Sequence, residues 1–211
     1  MQPEDDYFKR GLAEGLVWSE MLGMGWYPVQ ESADQIGYFN HYRALAGTTI
    51  GQALTAQRVQ FVSAFYQGPL VDIGVGSGAF VEARPLTRGY DVDPQAIEWL
   101  KRVELWVDPY VNEVAAACFW DSLEHIHEPR KIIDRVRHWA FVSMPIYRSL
   151  AHLMRSKHFK PREHVWYWTM HGFIEWMRAA GFRLMDTSAF ESDLGREDIV
   201  TFAFNRVANP V

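Results

Sequence analysis

The sequence has little sulfur chemistry: its one cysteine is Cys118. An intramolecular disulfide and a cysteine-based metal cluster are therefore excluded, and the expected setting is a reducing, cytoplasmic one. An excess of positive charge is also missing. Lys and Arg number 21 against 26 Asp and Glu, a net charge of −5, so no global field gathers phosphate backbones and non-specific nucleic-acid binding is disfavoured. No apolar run reaches the roughly 18 residues that a membrane-spanning helix needs. The acidic stretch Met1-Gln2-Pro3-Glu4-Asp5-Asp6 lacks the basic character of a signal peptide, and neither export nor membrane insertion is expected. What the chain does have is an apolar fraction of 48% over 211 residues, enough for the core of one α/β domain. It also has an aromatic surplus of 9 Trp, 9 Tyr and 13 Phe, which needs a cause.

The first third carries helical spacing, with Leu12, Leu16 and Met21 over 7–24 and Ile50, Leu54, Phe61 and Phe65 over 49–65. A loop containing Gly37 to Tyr42 is expected between them. From Pro69 the texture changes. Leu70 to Ile73 reads as a short buried strand, closed by the run Gly74-Val75-Gly76-Ser77-Gly78 and followed by a helix from Ala79. A second strand ends near Tyr90-Asp91-Val92, Pro94 opens a helix, 114–120 is a central strand, and 132–138 is an amphipathic helix before a strand at 140–144. Such alternation builds a parallel sheet. After a helix capped by Thr169 and stopped by Gly181, strands at 182–188 and 199–205 follow one another without a crossover helix, so they run antiparallel. The expected fold is Rossmann-like, doubly wound α/β: a mostly parallel sheet with an antiparallel C-terminal hairpin. Residues 1–68 form a helical extension or lid of the same domain, and 69–211 hold the ligand-binding part.

A glycine run between strand and helix lets backbone approach a ligand closely. Alone it also fits a dinucleotide fingerprint, with Ala79 as the third small residue. Asp72, two residues before Gly74, argues differently: a carboxylate there repels a pyrophosphate and attracts an ammonium or sulfonium. Asp91, at the end of the second strand, is placed to accept hydrogen bonds from ribose hydroxyls in either case.

Four segments in order carry a resemblance: V-D-I-G-V-G-S-G-A-F at 71–80, G-Y-D-V-D-P at 89–94, F-W-D-S-L-E-H-I-H-E-P at 119–129 and V-S-M-P at 142–145. They resemble the class I S-adenosylmethionine-dependent methyltransferases over roughly 69–205, most of all the branch with ubiquinone-pathway O-methyltransferases and small phage-encoded enzymes. The resemblance implies a seven-stranded sheet and S-adenosylmethionine as cofactor. Asp72, Gly74, Gly76 and Gly78 would hold its methionine part, Asp91 and the adjoining Val92 its ribose, and Asp108 and Trp120 would complete the cofactor site.

Methyl transfer from a sulfonium is an in-line displacement with an activated leaving group, so alignment and water exclusion matter more than a base. His164 is the candidate general base if one is used, because its ordinary pKa lies near neutrality. Asp121, beyond the central strand, is a second catalytic candidate. Tyr147, Trp166, Trp168 and Tyr38 are candidate acceptor contacts, which would account for the aromatic surplus. The pair His125 and His127 has a metal-like look, but no third ligand stands nearby in the sequence, and no metal is expected. A small-molecule acceptor, methylated at oxygen or nitrogen, is the leading expectation. Nucleic-acid methylation through a patch of Lys157, Lys160 and Arg162 is the alternative, followed by a dinucleotide-binding or non-catalytic S-adenosylmethionine-binding domain.

Overall fold

The computed structural model describes residues 13–28, 38–161 and 163–207. The expected helix over 7–24 lies partly outside these residues, as does Arg162. Strands β3 (Leu70–Ile73), β4 (Thr87–Tyr90), β5 (Val114–Trp120) and β6 (Val136–Tyr147) run parallel in the order β4-β3-β5-β6. Beyond β4, Trp106 makes a parallel bridge to Gly89. Beyond β6 the sheet turns antiparallel: β9 (Ile199–Arg206) pairs with β6, and β8 (Phe182–Ser188) pairs with β9. The parallel core and the terminal hairpin are as expected.

Alternation along β5 explains why both faces are covered. Ala116, Cys118 and Trp120 join Leu70, Phe80 and Phe141 under α2 (Thr49–Phe65), while Ala117 and Phe119 join Val71, Ile73 and Val142 on the side of α7 (Met170–Ala179). A strand buried on both faces reads as a continuous apolar run, which is how 114–120 reads. Helix α7 starts where Thr169 Oγ1 accepts from Gly172 N at 3.0 Å, a cap worth about 1 kcal/mol.

The N-terminal part departs from expectation. Instead of a helix, residues 13–28 form β1 (Val17–Ser19) and β2 (Met24–Trp26). Gly15 and Gly23 take positive φ, and a Cβ at Gly25 would stand 2.7 Å from the Trp18 ring, so these glycines break the helical pattern. The stretch expected as a loop is α1 (Tyr38–Ala46). β2 pairs with β7 (Trp166–Thr169), which in turn pairs with the end of β6 through Ile146 and Tyr147. One edge of β6 is thus shared, β9 taking Trp139 to Pro145 and β7 the last two residues. The expected helix at 132–138 is only the single turn α5 (Arg130–Ile133), because β6 begins at Val136. Three short helices complete the inventory: α3 (Ala79–Ala83), α6 (Leu150–Leu153) and α8 (Phe190–Asp193), the last inside the expected polar connection, with α4 (Pro94–Arg102) between β4 and β5.

The aromatic surplus is largely core. Trp168 is fully buried, with Phe173 and Trp176 at ring-centroid distances of 5.4 and 5.8 Å, and Phe173 meets Phe202 at 5.0 Å. Tyr147 is 1% exposed and its hydroxyl donates to the His158 carbonyl. These two rings pack the junction between sheet and strands instead of lining an open acceptor pocket.

Candidate active site

The carboxyl ends of β3, β4 and β5 meet at the glycine run. Gly74, Gly76 and Gly78 have φ of +78°, +52° and +75°, a region that side chains strain to enter. The three serve different ends. A Cβ at Gly74 would lie 2.7 Å from Ser122 Cβ, and one at Gly78 2.5 Å from the Trp99 ring. Gly74 and Gly78 therefore let β5's following turn and α4 pack close. At Gly76 the nearest atoms belong to the Tyr42 ring, at 3.8 and 3.9 Å, so this glycine leaves a slot between loop and α1.

Asp91 fixes the loop. Its Oδ2 accepts from Gly76 N at 3.2 Å and its Oδ1 from Val92 N and Asp93 N at 2.7 and 2.9 Å. A carboxylate has about four acceptor positions, so roughly one remains for a ligand hydroxyl. Burial nonetheless raises its pKa. Asp93 is committed elsewhere: it caps α4 through Gln95 N and ties down α1 through Phe39 N. Asp72 is buried beneath the loop, beside Cys118 in the register of β3 and β5, and accepts from Cys118 Sγ at 3.3 Å. Burial pushes its pKa up to about 7. Asp108 turns back to accept from Tyr110 N at 2.8 Å, and Val92 stands exposed at the rim.

Over the slot stand Tyr38 and Tyr42, stacked at 5.9 Å and exposed by 37% and 43%. Burial raises the Tyr42 pKa, with opposing contributions from Lys160 and Asp121, which places the phenol among those charges. Trp120 lies below with its indole N–H unpartnered, covered by the Arg58 guanidinium 4.9 Å from its ring. Trp166 is half-buried and spends its indole N–H on the Ile126 carbonyl.

The two expected catalytic residues sit in different company. Asp121, at positive φ, pairs with Arg58 at 3.2 Å and Arg196 at 2.8 Å. Both arginines also hold Glu191, which is fully buried and accepts from Ser143 Oγ at 2.8 Å. The Asp121 carboxylate is thus engaged by two guanidinium groups, and Arg196 is committed to two carboxylates. His164 is 4% exposed, and burial together with His125 and Lys160 holds its pKa well below the usual histidine range. Its ring meets His125 edge-on at 4.7 Å. Glu124 joins them: ligand atoms of Glu124, His125 and His164 lie within 4.8 Å of one another. The histidine pair singled out in the sequence is thus not the pair that forms. His127 is exposed, and His125 finds its partners across the fold, a grouping that no local spacing signals.

A twisted, mostly parallel sheet with a ligand-ready glycine loop at its first parallel strand defines a Rossmann-like nucleotide-binding class. The family model described as a methyltransferase domain matches residues 39–187, and the chain belongs to that family. Solved structures with the same fold include a possible histamine N-methyltransferase from Thermotoga maritima (TM-score 0.58, 12% identity, covering 81% of this chain and 97% of that one). Another is the magnesium protoporphyrin IX methyltransferase of Synechocystis PCC 6803 with bound S-adenosylhomocysteine (0.55, 15%, 80% and 94%). The [4+2]-cyclase SpnF is similar too (0.54, 16%, 84% and 88%). A search of curated proteins by sequence finds no match. Among the described residues no helix is long and apolar enough to cross a membrane.

Proposed function

We propose that this methyltransferase domain carries S-adenosylmethionine on the 74–78 loop and methylates an oxygen or nitrogen atom of a small, planar acceptor. The observation that carries the reading is the slot at Gly76. There the loop backbone faces the Tyr42 ring of the stacked Tyr38–Tyr42 pair, Asp91 bonds the same Gly76 amide with an acceptor position to spare, and the Asp72 carboxylate is buried in the strand that feeds the loop. When bound, the cofactor supplies a methyl group on an already activated sulfonium. The chain's own contribution is placement: Asp72 offers negative charge to the cationic end, Asp91 holds loop and ribose together, and Trp120 and Val92 border the slot. Tyr38 and Tyr42 are the rings free to face a planar acceptor, and their stacking supports that acceptor class. The sequence Leu123-Glu124-His125 supports a reading within the ubiquinone-pathway O-methyltransferase branch. Ligands held in related folds, S-adenosylhomocysteine among them, support the cofactor.

Calorimetric titration with S-adenosylhomocysteine tests the reading. Saturable binding is expected, weakened by about tenfold or more in Asp91→Ala, since a hydrogen bond to a charged group is worth about 1.5–3 kcal/mol. Stabilisation by NADH with no response to S-adenosylmethionine or S-adenosylhomocysteine would replace it with the dinucleotide reading.

A further inference from the structure

Glu124 is 2% exposed, and neither of its carboxylate oxygens has a hydrogen-bond partner. Buried polar groups are nearly always satisfied, and an orphan carboxylate is among the costliest to leave bare. Burial pushes its pKa well above the usual carboxylate range. His125 Nδ1, beside it, is equally without a partner, and the Tyr167 ring lies 5.9 Å from that of His164. Unsatisfied groups of this kind converge on one spot, and their donor set is one carboxylate and two imidazoles.

The backbone holds this set in place. Val165 N donates to the Glu124 carbonyl at 2.8 Å and His164 N to the Lys160 carbonyl at 2.8 Å. The backbone at His164 and Val165 is thereby docked on the turn that carries Glu124 and His125. The His125 ring meets that of His164 edge-on at 4.7 Å, which brings both imidazoles to the Glu124 carboxylate.

We infer that Glu124, His125 and His164 form a binding site for one divalent first-row transition metal ion. Two imidazoles and a carboxylate suit zinc, iron, cobalt or nickel better than calcium or magnesium, which prefer all-oxygen shells. The ligand atoms lie within 4.8 Å of one another, and an ion held about 2.0–2.2 Å from each would draw them closer together. Three protein ligands leave coordination positions open. The site begins two residues beyond Ser122, which abuts Gly74, so an ion here stands next to the proposed methyl-donor slot. The inference rests on the cluster and not on the methyl-transfer reading.

The test uses the full chain, freed of metal by chelation and dialysis, and titrated with Co²⁺ while its visible absorption is followed. Binding at one ion per chain is expected, with the intense ligand-field bands of a low-coordinate nitrogen and oxygen site. His125→Ala and Glu124→Gln should weaken it by at least about a hundredfold, beyond the 10–100-fold that loss of an outer partner costs. His127→Ala, two residues away and exposed, should leave it unchanged. Circular dichroism and S-adenosylhomocysteine titration on each variant separate loss of metal from loss of fold or of the cofactor slot. Absence of a saturable cobalt signal in wild type, or equal binding in wild type and His125→Ala, would overturn the proposal and leave the cluster to buried water.

Discussion

Two carboxylates a few residues apart on the chain's site-bearing half lead opposite lives. Asp121 belongs to a closed circuit in which Arg58 and Arg196 meet Asp121 and Glu191, two positive charges against two negative, with Ser143 filling a remaining oxygen of Glu191. Three positions later, Glu124 is buried as deeply as Glu191, and no side chain bonds its carboxyl oxygens. The two glutamates are equally dry, so the difference between them is not burial. It is completion: the first cluster is satisfied by the chain alone and serves to hold β5, β6, α2 and α8 together. The second is open in charge and hydrogen bonding, as a site for a ligand must be. Asp72 falls between the two, buried with one weak Sγ–H donor.

Breaking the closed circuit should have the largest effect. Glu191→Ala leaves two guanidinium groups to share Asp121 alone and takes away the acceptor of the Ser143 hydroxyl, and removing one partner of a buried ion pair costs about 3–5 kcal/mol. Urea denaturation should show that loss with an unchanged slope; a change below about 1 kcal/mol would mean that the network is decorative.

Asp72 comes next and is read through pH. Its folded pKa of about 7 lies above the ordinary carboxylate value, so between about pH 4 and pH 7 the folded chain keeps a proton that the unfolded chain has released. Stability contributed by the protonated group is complete below about pH 4 and lost as pH rises through 7, by about 4 kcal/mol at the outer limit. Asp72→Asn should flatten this slope in thermal unfolding across pH 4–8. An identical slope in the variant would assign it to other groups.

How much of this was legible beforehand follows from the range of each interaction. The strand, glycine loop and helix at 70–83, the β5 run, the Thr169 cap and the terminal hairpin are written in neighbouring residues, and they form as read. β1, β2 and β7 are three or four residues long, too short for a period to show, and their pairing joins residues 24 and 168. Asp91 and Asp72 could be singled out because a strand end and a glycine loop position them locally. The Arg58–Glu191 contact spans 133 residues, and His164 reaches His125 only because β7 docks beside β6. Trp168 and Tyr147 were misplaced for the same reason: aromatic residues after a strand look like pocket lining until a second sheet segment covers them.

Glu124→Gln sharpens the comparison through its size. In metal-free protein burial raises the Glu124 pKa well above the usual carboxylate range and favours the uncharged acid, so the substitution exchanges one neutral group for another of the same shape and should change stability by less than about 1 kcal/mol in thermal unfolding. The same conservative change at Glu191 breaks two ion pairs and should cost more. An equal loss at the two positions would show that Glu124 belongs to a network as closed as that of Glu191.

The smallest effect is expected where water completes the pairing. Lys131 and Glu128 meet at 2.6 Å, closer than Arg58 meets Glu191, yet their side chains are 60% and 65% exposed. If distance decided the strength of an ion pair, Lys131→Ala would rival Glu191→Ala. If completion by solvent decides it, the released Glu128 carboxylate is simply hydrated, and the loss stays below about 0.5 kcal/mol. Moderate salt should shrink even that difference, because exposed charges are screened over about a nanometre, while the Glu191 effect should persist. A salt-insensitive loss above about 1 kcal/mol at Lys131 would undo the distinction between closed, open and solvated charge on which the two clusters are contrasted.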